Sequence, residues 1–78
     1  MNIKKTLYNA THRGMKEMDV LLGRFALDRL ASLAPHEHEI FDDLLDELDA
    51  DILSWCMGQV APPRKYELLI KQILTTKI

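Results

Sequence analysis

A chain of 78 residues has room for one domain, and a domain of this size buries only about 60–65% of its unfolded surface, so its apolar residues must form one efficient core. Hydrophobic residues make up 47% of the sequence, which excludes a disordered chain. The formal net charge is −2, but residues 25–51 carry −8 and the segments on either side carry +3 each, so the clustered basic face that nucleic-acid binding needs is missing.

The first two helices are predicted from apolar residues that recur every three or four positions. Helix 1 spans residues 2–12, and Gly14 is expected to end it because glycine adopts the left-handed conformation at low cost. Its inward face is formed by Ile3, Leu7 and Ala10. Helix 2 spans about residues 15–31. One stripe of this helix consists of Met15, Met18, Leu22, Phe25, Arg29 and Leu33, and Arg29 is expected to lay its methylenes on the core edge with its charge in water.

The third helix opens at Pro35, which suits the first helical position because the missing N–H is not needed there. Its apolar face consists of Ile40, Phe41, Leu44, Leu45 and Leu48. Its acidic face, which we expect to be solvated, consists of Asp42, Asp43, Asp46 and Glu47. Asp49 is expected to N-cap helix 4, which ends at Gly58.

The last two helices complete the predicted fold. Helix 4 directs Ile52, Leu53, Trp55 and Cys56 to the core. Helix 5 follows Pro62 and Pro63 and directs Tyr66, Leu69, Ile70, Ile73 and Leu74 inward. Five short helices with short connections predict an all-α fold, a compact five-helix bundle that forms a single domain over residues 1–78.

Cellular location is also constrained by composition. No run approaches the roughly 20 apolar residues of a membrane span, so we expect no direct membrane insertion. The single cysteine, Cys56, cannot form an internal disulfide, which favours a reducing compartment. No long apolar run of the secretory kind follows Lys4 and Lys5, and we expect a cytoplasmic protein.

Residues that can carry chemistry are present, but not in patterns typical of an active site. No nucleophile-and-base signature joins His12, His36, His38, Ser32, Ser54 and Cys56. His36 and His38 are two positions apart, so a regular helix points them about 200° apart and they cannot bind one metal ion. We interpret both as part of a solvated first turn and Cys56 as a small buried hydrophobe, and we expect neither a metal nor an enzyme activity.

One segment, at the junction of helices 1 and 2, suggests a binding surface. Arg13 and Glu17 are four positions apart, which places them on one side of a helical turn, and Gly14 between them presents bare backbone that a partner can approach closely. Glu17 and Asp19 suit the first turn of helix 2. A capped helix junction with a local ion pair explains the same residues, so both interpretations stay open on spacing alone.

The same segment resembles the signature of the succinate dehydrogenase assembly factor family. The resemblance rests on Arg13-Gly14-x-x-Glu17 followed by Asp19, on Leu21 to Ala26, and on the Asp-rich turn from Leu45 that leads to Trp55, and it covers roughly residues 6–74. It implies a five-helix fold and a role in the covalent attachment of FAD to the flavoprotein subunit of succinate dehydrogenase, with some members serving fumarate reductase. The factor is then not the enzyme.

The resemblance also implies which residues bind and what they bind. Arg13, Gly14 and Glu17 are expected at the contact with the flavoprotein, and Asp19 is a weaker candidate. We expect no stably bound cofactor, since FAD is attached to the client, and we expect a monomer. His12 stands where many relatives have a second arginine, so a positive contact is lost or becomes pH-dependent.

An alternative function of another class stays open at this point. A helical protein-interaction adaptor, or an antitoxin, could bind a basic partner through the acidic third helix. The two hypotheses differ in the surface that matters, since charge reversal at Asp42, Asp43 and Asp46 would disable the adaptor and spare the flavin factor.

Overall fold

Five α-helices follow one another along the chain, as predicted: α1 (Ile3–Thr11), α2 (Lys16–Arg29), α3 (Pro35–Leu45), α4 (Asp49–Cys56) and α5 (Glu67–Thr75). This computed structural model describes residues 2–76, so Met1, Lys77 and Ile78 of the predicted domain lie outside the described residues. Two 3-10 turns, Leu30–Ser32 and Arg64–Tyr66, follow α2 and precede α5. Between residues 2 and 76 there is no β-strand, and the all-α prediction is confirmed.

Helix starts follow the local sequence closely. The Asn2 side chain accepts a hydrogen bond from the Lys5 backbone N–H at 3.0 Å, which caps α1. Helix α3 begins at Pro35 as predicted, and the Glu37 carboxylate accepts from the Ala34 N–H at 2.8 Å. Glu17 and Asp19 lie in the first turn of α2, where the helix dipole favours acids.

Two helix boundaries between α3 and α4 differ from the prediction. Helix α3 ends at Leu45, so Leu48 leaves the apolar face on which it was expected and is 71% exposed. Leu48, and not Asp49, occupies the N-cap position of α4, and no side chain bonds the first N–H groups of that helix. The Asp49 carboxylate is instead bound to Arg13, which lies far away in the sequence.

The core receives side chains from every helix. Its fully buried members include Ala10, Met18, Leu22, Phe25, Phe41, Leu44 and Ile52. The Phe25 and Phe41 rings lie at the centre, with centroids 5.1 Å apart. Ile3 and Leu74 were predicted to point inward but are 44% and 48% exposed, because they lie in terminal turns that neighbouring helices cover incompletely. Trp55, also predicted for the core, is half-buried and packs against Tyr66.

Helices α1 and α2 pack closely against each other. Gly23 is buried in α2, and a Cβ atom at this position would lie 3.3 Å from Cγ2 of Thr11. Glycine therefore allows the end of α1 to approach the middle of α2 directly. Among residues 2–76 no helix combines the length and apolar character needed to cross a bilayer.

Candidate docking site

The turn between α1 and α2, residues 12–15, contains the glycine that the sequence analysis singled out. Gly14 is exposed and has φ = +87°, a left-handed conformation that residues with a side chain rarely adopt. A Cβ atom built on Gly14 would meet nothing within 4 Å. The surface above this residue is therefore open, and any added side chain would project outward from the molecule. We refer to residues 12–15 as the Gly14 turn.

Arg13 points inward from this turn and is bound by the segment that joins α3 to α4. Its Nε donates to the Asp49 carboxylate at 2.5 Å, Nη1 to the Leu45 carbonyl at 2.6 Å and Nη2 to the Glu47 carbonyl at 3.0 Å. The Arg13 side chain is only 11% exposed. The guanidinium thus satisfies the carbonyl of Leu45, the last residue of α3, and the carbonyl of Glu47 in the segment after it.

Arg13 does not form the local ion pair with Glu17 that one of the two open interpretations required. The chain is not helical at residues 12–15, so the four-residue spacing that would bring the two side chains together does not apply. Glu17 is exposed in the first turn of α2, and none of the ion pairs found within residues 2–76 involves it.

Asp19 is half-buried and holds the backbone of the Gly14 turn. Its carboxylate accepts a hydrogen bond from the Arg13 backbone N–H at 2.8 Å. Of the four candidate site residues, Gly14 and Glu17 are therefore exposed, whereas Arg13 and Asp19 are used within the molecule. Asp49 joins this group, and sequence analysis missed its role because a pairing across 36 residues leaves no periodic signal.

Beside the turn, the surface is polar and contains one exposed aromatic pair. The Tyr8 and His12 rings stack with centroids 4.0 Å apart and an angle of 10° between their planes, and Tyr8 is 61% exposed. An open cleft of about 300 Å³ adjoins this pair. Its lining consists of Asn9, His12, Arg13, Leu45, Asp46 and Asp49. The cleft places polar groups next to the Gly14 turn, as a protein interface with a polar rim requires.

A second polar cluster lies between α1 and α3 and is formed by Thr6 of α1 with His38 and Asp42 of α3. The Thr6 hydroxyl donates to Asp42 at 2.7 Å, and its oxygen lies 2.9 Å from Nε2 of His38. His38 is 1% exposed, so the interpretation of this histidine as part of a solvated turn is wrong. His38 lies three positions before Phe41 and seven before Leu45, both buried, and this spacing could have indicated its inward direction.

This cluster does not have the geometry of a catalytic triad. The hydroxyl of Thr6 and the carboxylate of Asp42 both lie next to Nε2 of His38, the latter at 3.4 Å. A proton relay needs the carboxylate on one ring nitrogen and the hydroxyl on the other. Thr6 is also 3% exposed, which keeps a substrate away from it. The cluster joins α1 to α3 through hydrogen bonds, and within residues 2–76 no group of three or more potential metal ligands occurs.

Comparison with known proteins identifies relatives over nearly the whole chain. A family model described as flavinator of succinate dehydrogenase matches residues 4–77. The FAD assembly factor SdhE of Coxiella burnetii is 40% identical over 62 residues, which are 78% of this chain and 76% of that protein. Mitochondrial succinate dehydrogenase assembly factor 2 of Komagataella phaffii is 40% identical over 67 residues, or 82% of this chain and 35% of that protein.

The mitochondrial relatives are longer than this chain. The corresponding factor of Schizosaccharomyces pombe is 40% identical over 60 residues, which are 77% of this chain and 43% of that protein. The chain thus spans less than half the length of these two mitochondrial relatives and about three quarters of the bacterial one.

Proposed function

Because this chain belongs to the flavinator of succinate dehydrogenase family, we propose that it is an assembly factor that binds the flavoprotein subunit of succinate dehydrogenase and promotes covalent attachment of FAD. We further propose that it acts as a monomer in the cytoplasm, that it binds no cofactor stably, and that fumarate reductase is a second possible client. Its role is that of a chaperone and not of a catalyst.

The proposed mechanism is differential binding. The factor favours the client conformation in which FAD and the client residue that accepts it are aligned, and alignment alone can remove a large part of an entropic barrier. No side chain of the factor then needs to take part in bond formation. The flavoprotein contributes the reacting groups, and the factor contributes a rigid helical surface.

We propose that the client docks on the Gly14 turn and the first turn of α2. The observation that carries this proposal is the open surface at Gly14, which lies at φ = +87° with no atom within 4 Å of the missing Cβ. Glu17 is exposed next to it and has a free carboxylate for a basic group of the client. Arg13 and Asp19 belong to the same site and lie behind this surface.

The alternative of an adaptor or antitoxin that acts through α3 gains no support. Three of the four residues of the predicted acidic face have partners within the molecule, and the fourth, Asp46, is exposed. Asp42 accepts from Thr6, Asp43 from Lys65 and Glu47 from the Tyr66 hydroxyl. The family match also indicates a different function.

Gly14→Arg tests the docking proposal, with Gly58→Arg as a matched control. Gly58 has φ = +76° and equally open surroundings, so both variants carry the same kind of backbone strain. Only Gly14→Arg places a bulky side chain on the proposed docking surface. Each variant is expressed in cells that lack the factor, and covalent flavin is measured by in-gel fluorescence of the denatured flavoprotein subunit.

We expect Gly14→Arg to abolish covalent flavin and Gly58→Arg to preserve it, with both proteins folded by far-UV circular dichroism. Full flavinylation with Gly14→Arg would overturn the docking surface. Loss of flavinylation with both folded variants would do the same, because the effect would then come from strain common to both glycines.

A further inference from the structure

The side chain of Arg13 connects two turns that are distant in sequence. Its three acceptors are the Leu45 carbonyl at the end of α3, the Glu47 carbonyl after it, and the Asp49 carboxylate at the start of α4. Its backbone N–H is held separately by Asp19 in α2. Both the backbone and the side chain of Arg13 are therefore held, and the Gly14 turn to which it belongs is attached to α2, α3 and α4.

Arginine suits this position better than any other residue. Its guanidinium is planar and carries donors in a fixed fork, so one side chain can bind several acceptors at once with little loss of conformational freedom. The positive charge also lies at the C-terminal end of α3, where the helix dipole is negative, and beside the acidic start of α4. Lysine would keep the charge but could not reproduce the fork.

Direct contact between Arg13 and a client would require these bonds to break. The side chain is 11% exposed, and turning it outward would leave the half-buried Asp49 carboxylate and two carbonyl groups without their donor. Arg13, the first residue of the family signature, is thus poorly placed to reach a partner. Gly14, the next residue, has open space around it.

We propose that Arg13 and Asp49 are positioning residues for docking: their ion pair holds the Gly14 turn in its binding conformation, and Arg13 does not contact the client. This inference rests on the proposed function. A turn without regular secondary structure samples other conformations when it is not held, and the apparent dissociation constant rises in inverse proportion to the fraction of molecules in the competent conformation.

Asp49→Asn tests the inference because it removes the charge partner and leaves Arg13 intact. Binding to the isolated flavoprotein subunit is measured for the wild-type chain, Asp49→Asn, Arg13→Lys and the double variant, at a temperature where each is folded. If the single variants leave about a tenth of the molecules competent, each dissociation constant rises about tenfold. The double variant is expected to lose less affinity than the sum of the two single losses, because both changes weaken the same contact between Arg13 and the segment from Leu45 to Asp49.

Tyr66→Phe is the matched control. It removes the hydrogen bond from the Tyr66 hydroxyl to Glu47, which lies in the same segment, and leaves the three acceptors of Arg13 in place. It is expected to lower stability without changing the dissociation constant. Amide hydrogen exchange of the free protein gives a second measurement: exchange at residues 13–16 is expected to accelerate in Asp49→Asn and not in Tyr66→Phe.

The outcomes separate this inference from the proposed function. A wild-type chain that does not bind the flavoprotein overturns the proposed function, and the inference with it. If the wild-type chain binds and Asp49→Asn binds equally well or more tightly, docking does not depend on the ion pair and only the inference is overturned. Additive losses in the double variant also overturn it, since they indicate two independent contacts.

Discussion

Tyr66 is the buried residue whose ionisation the structure perturbs most clearly. The residue is 1% exposed, and its hydroxyl donates to the Glu47 carboxylate at 2.8 Å. Burial raises the pKa of the Tyr66 phenol far above its ordinary value of 10.0, and the hydrogen bond to Glu47 and the negative charge of that carboxylate raise it further. The folded state therefore retains this proton under alkaline conditions in which the unfolded chain releases it.

The sign of the resulting pH dependence follows from proton linkage. Below the unfolded pKa both states are protonated and the stabilisation is fully present, whereas above about pH 10 the unfolded state binds fewer protons. We expect the free energy of unfolding to fall by about 1.4 kcal/mol per pH unit above that point, on top of any other titrating groups. Urea unfolding at several alkaline pH values measures this slope.

Two tyrosine variants isolate the contribution of Tyr66. Tyr66→Phe should remove the extra alkaline slope, whereas Tyr8→Phe should keep it, because Tyr8 is 61% exposed and meets solvent in both states. Identical slopes in the wild-type chain and in Tyr66→Phe would contradict the assignment of the effect to this phenol.

Pairings between single residues were the part of the site that sequence could not predict. The sequence identifies Arg13 and Gly14 as unusual, but the acceptors of Arg13 lie 32 to 36 residues later and are mostly backbone carbonyl groups, which every residue carries. The open surface at Gly14 was predictable, because glycine at a helix junction indicates a positive φ. The direction of Arg13 depended on the packing of α3 and α4.

At the scale of helices, the start of α4 carries an unfilled cap. Leu48 has the extended backbone of an N-cap residue, with φ = −69° and ψ = 141°, but a leucine side chain cannot accept a hydrogen bond from the first N–H groups. We expect Leu48→Ser to be more stable than Leu48→Ala by about 1 kcal/mol, because the hydroxyl satisfies one of these groups.

Both variants lose the Leu48 side chain, which is 71% exposed, so comparing serine with alanine cancels the effect of that loss. Urea unfolding of the two proteins at neutral pH measures the difference. Equal stability would indicate that the first turn of α4 is already satisfied by water or that its backbone differs from that of a capped helix.

The start of α3 was more predictable than its end, for a physical reason. Pro35 acts on backbone groups within the first turn of the helix, so its effect is local. Leu48 was predicted on the apolar face of α3, but the helix stops at Leu45, whose carbonyl is bound by Arg13. A boundary that depends on a residue 32 positions away leaves no local signal.

On the scale of the whole molecule, the described residues form one rounded body of 30 × 25 × 23 Å with a Cα radius of gyration of 11.2 Å. The apolar core contains buried residues from all five helices, and no helix has a core of its own. A small domain organised in this way is expected to unfold in one cooperative step. The single tryptophan, Trp55 in α4, reports on the fold independently of the helical signal.

Two leucines of α2 allow a matched test of this cooperativity. Leu22 is 0% exposed and Leu27 is 67% exposed, and both lie in the same helix. We expect Leu22→Ala to lower the free energy of unfolding by about 2–5 kcal/mol, because it removes buried apolar surface and leaves a cavity. Leu27→Ala should change it by less than about 0.5 kcal/mol.

Trp55 fluorescence and far-UV circular dichroism, followed together in urea, distinguish a cooperative unit from separate parts. If the core is shared, Leu22→Ala in α2 shifts the fluorescence transition of α4 and the loss of helical signal to the same lower urea concentration. Separated transitions would show that α4 unfolds independently of α2. The Gly14 turn would then be held against α3 and α4 only while that local structure persists, because its attachment depends on residues 45–49.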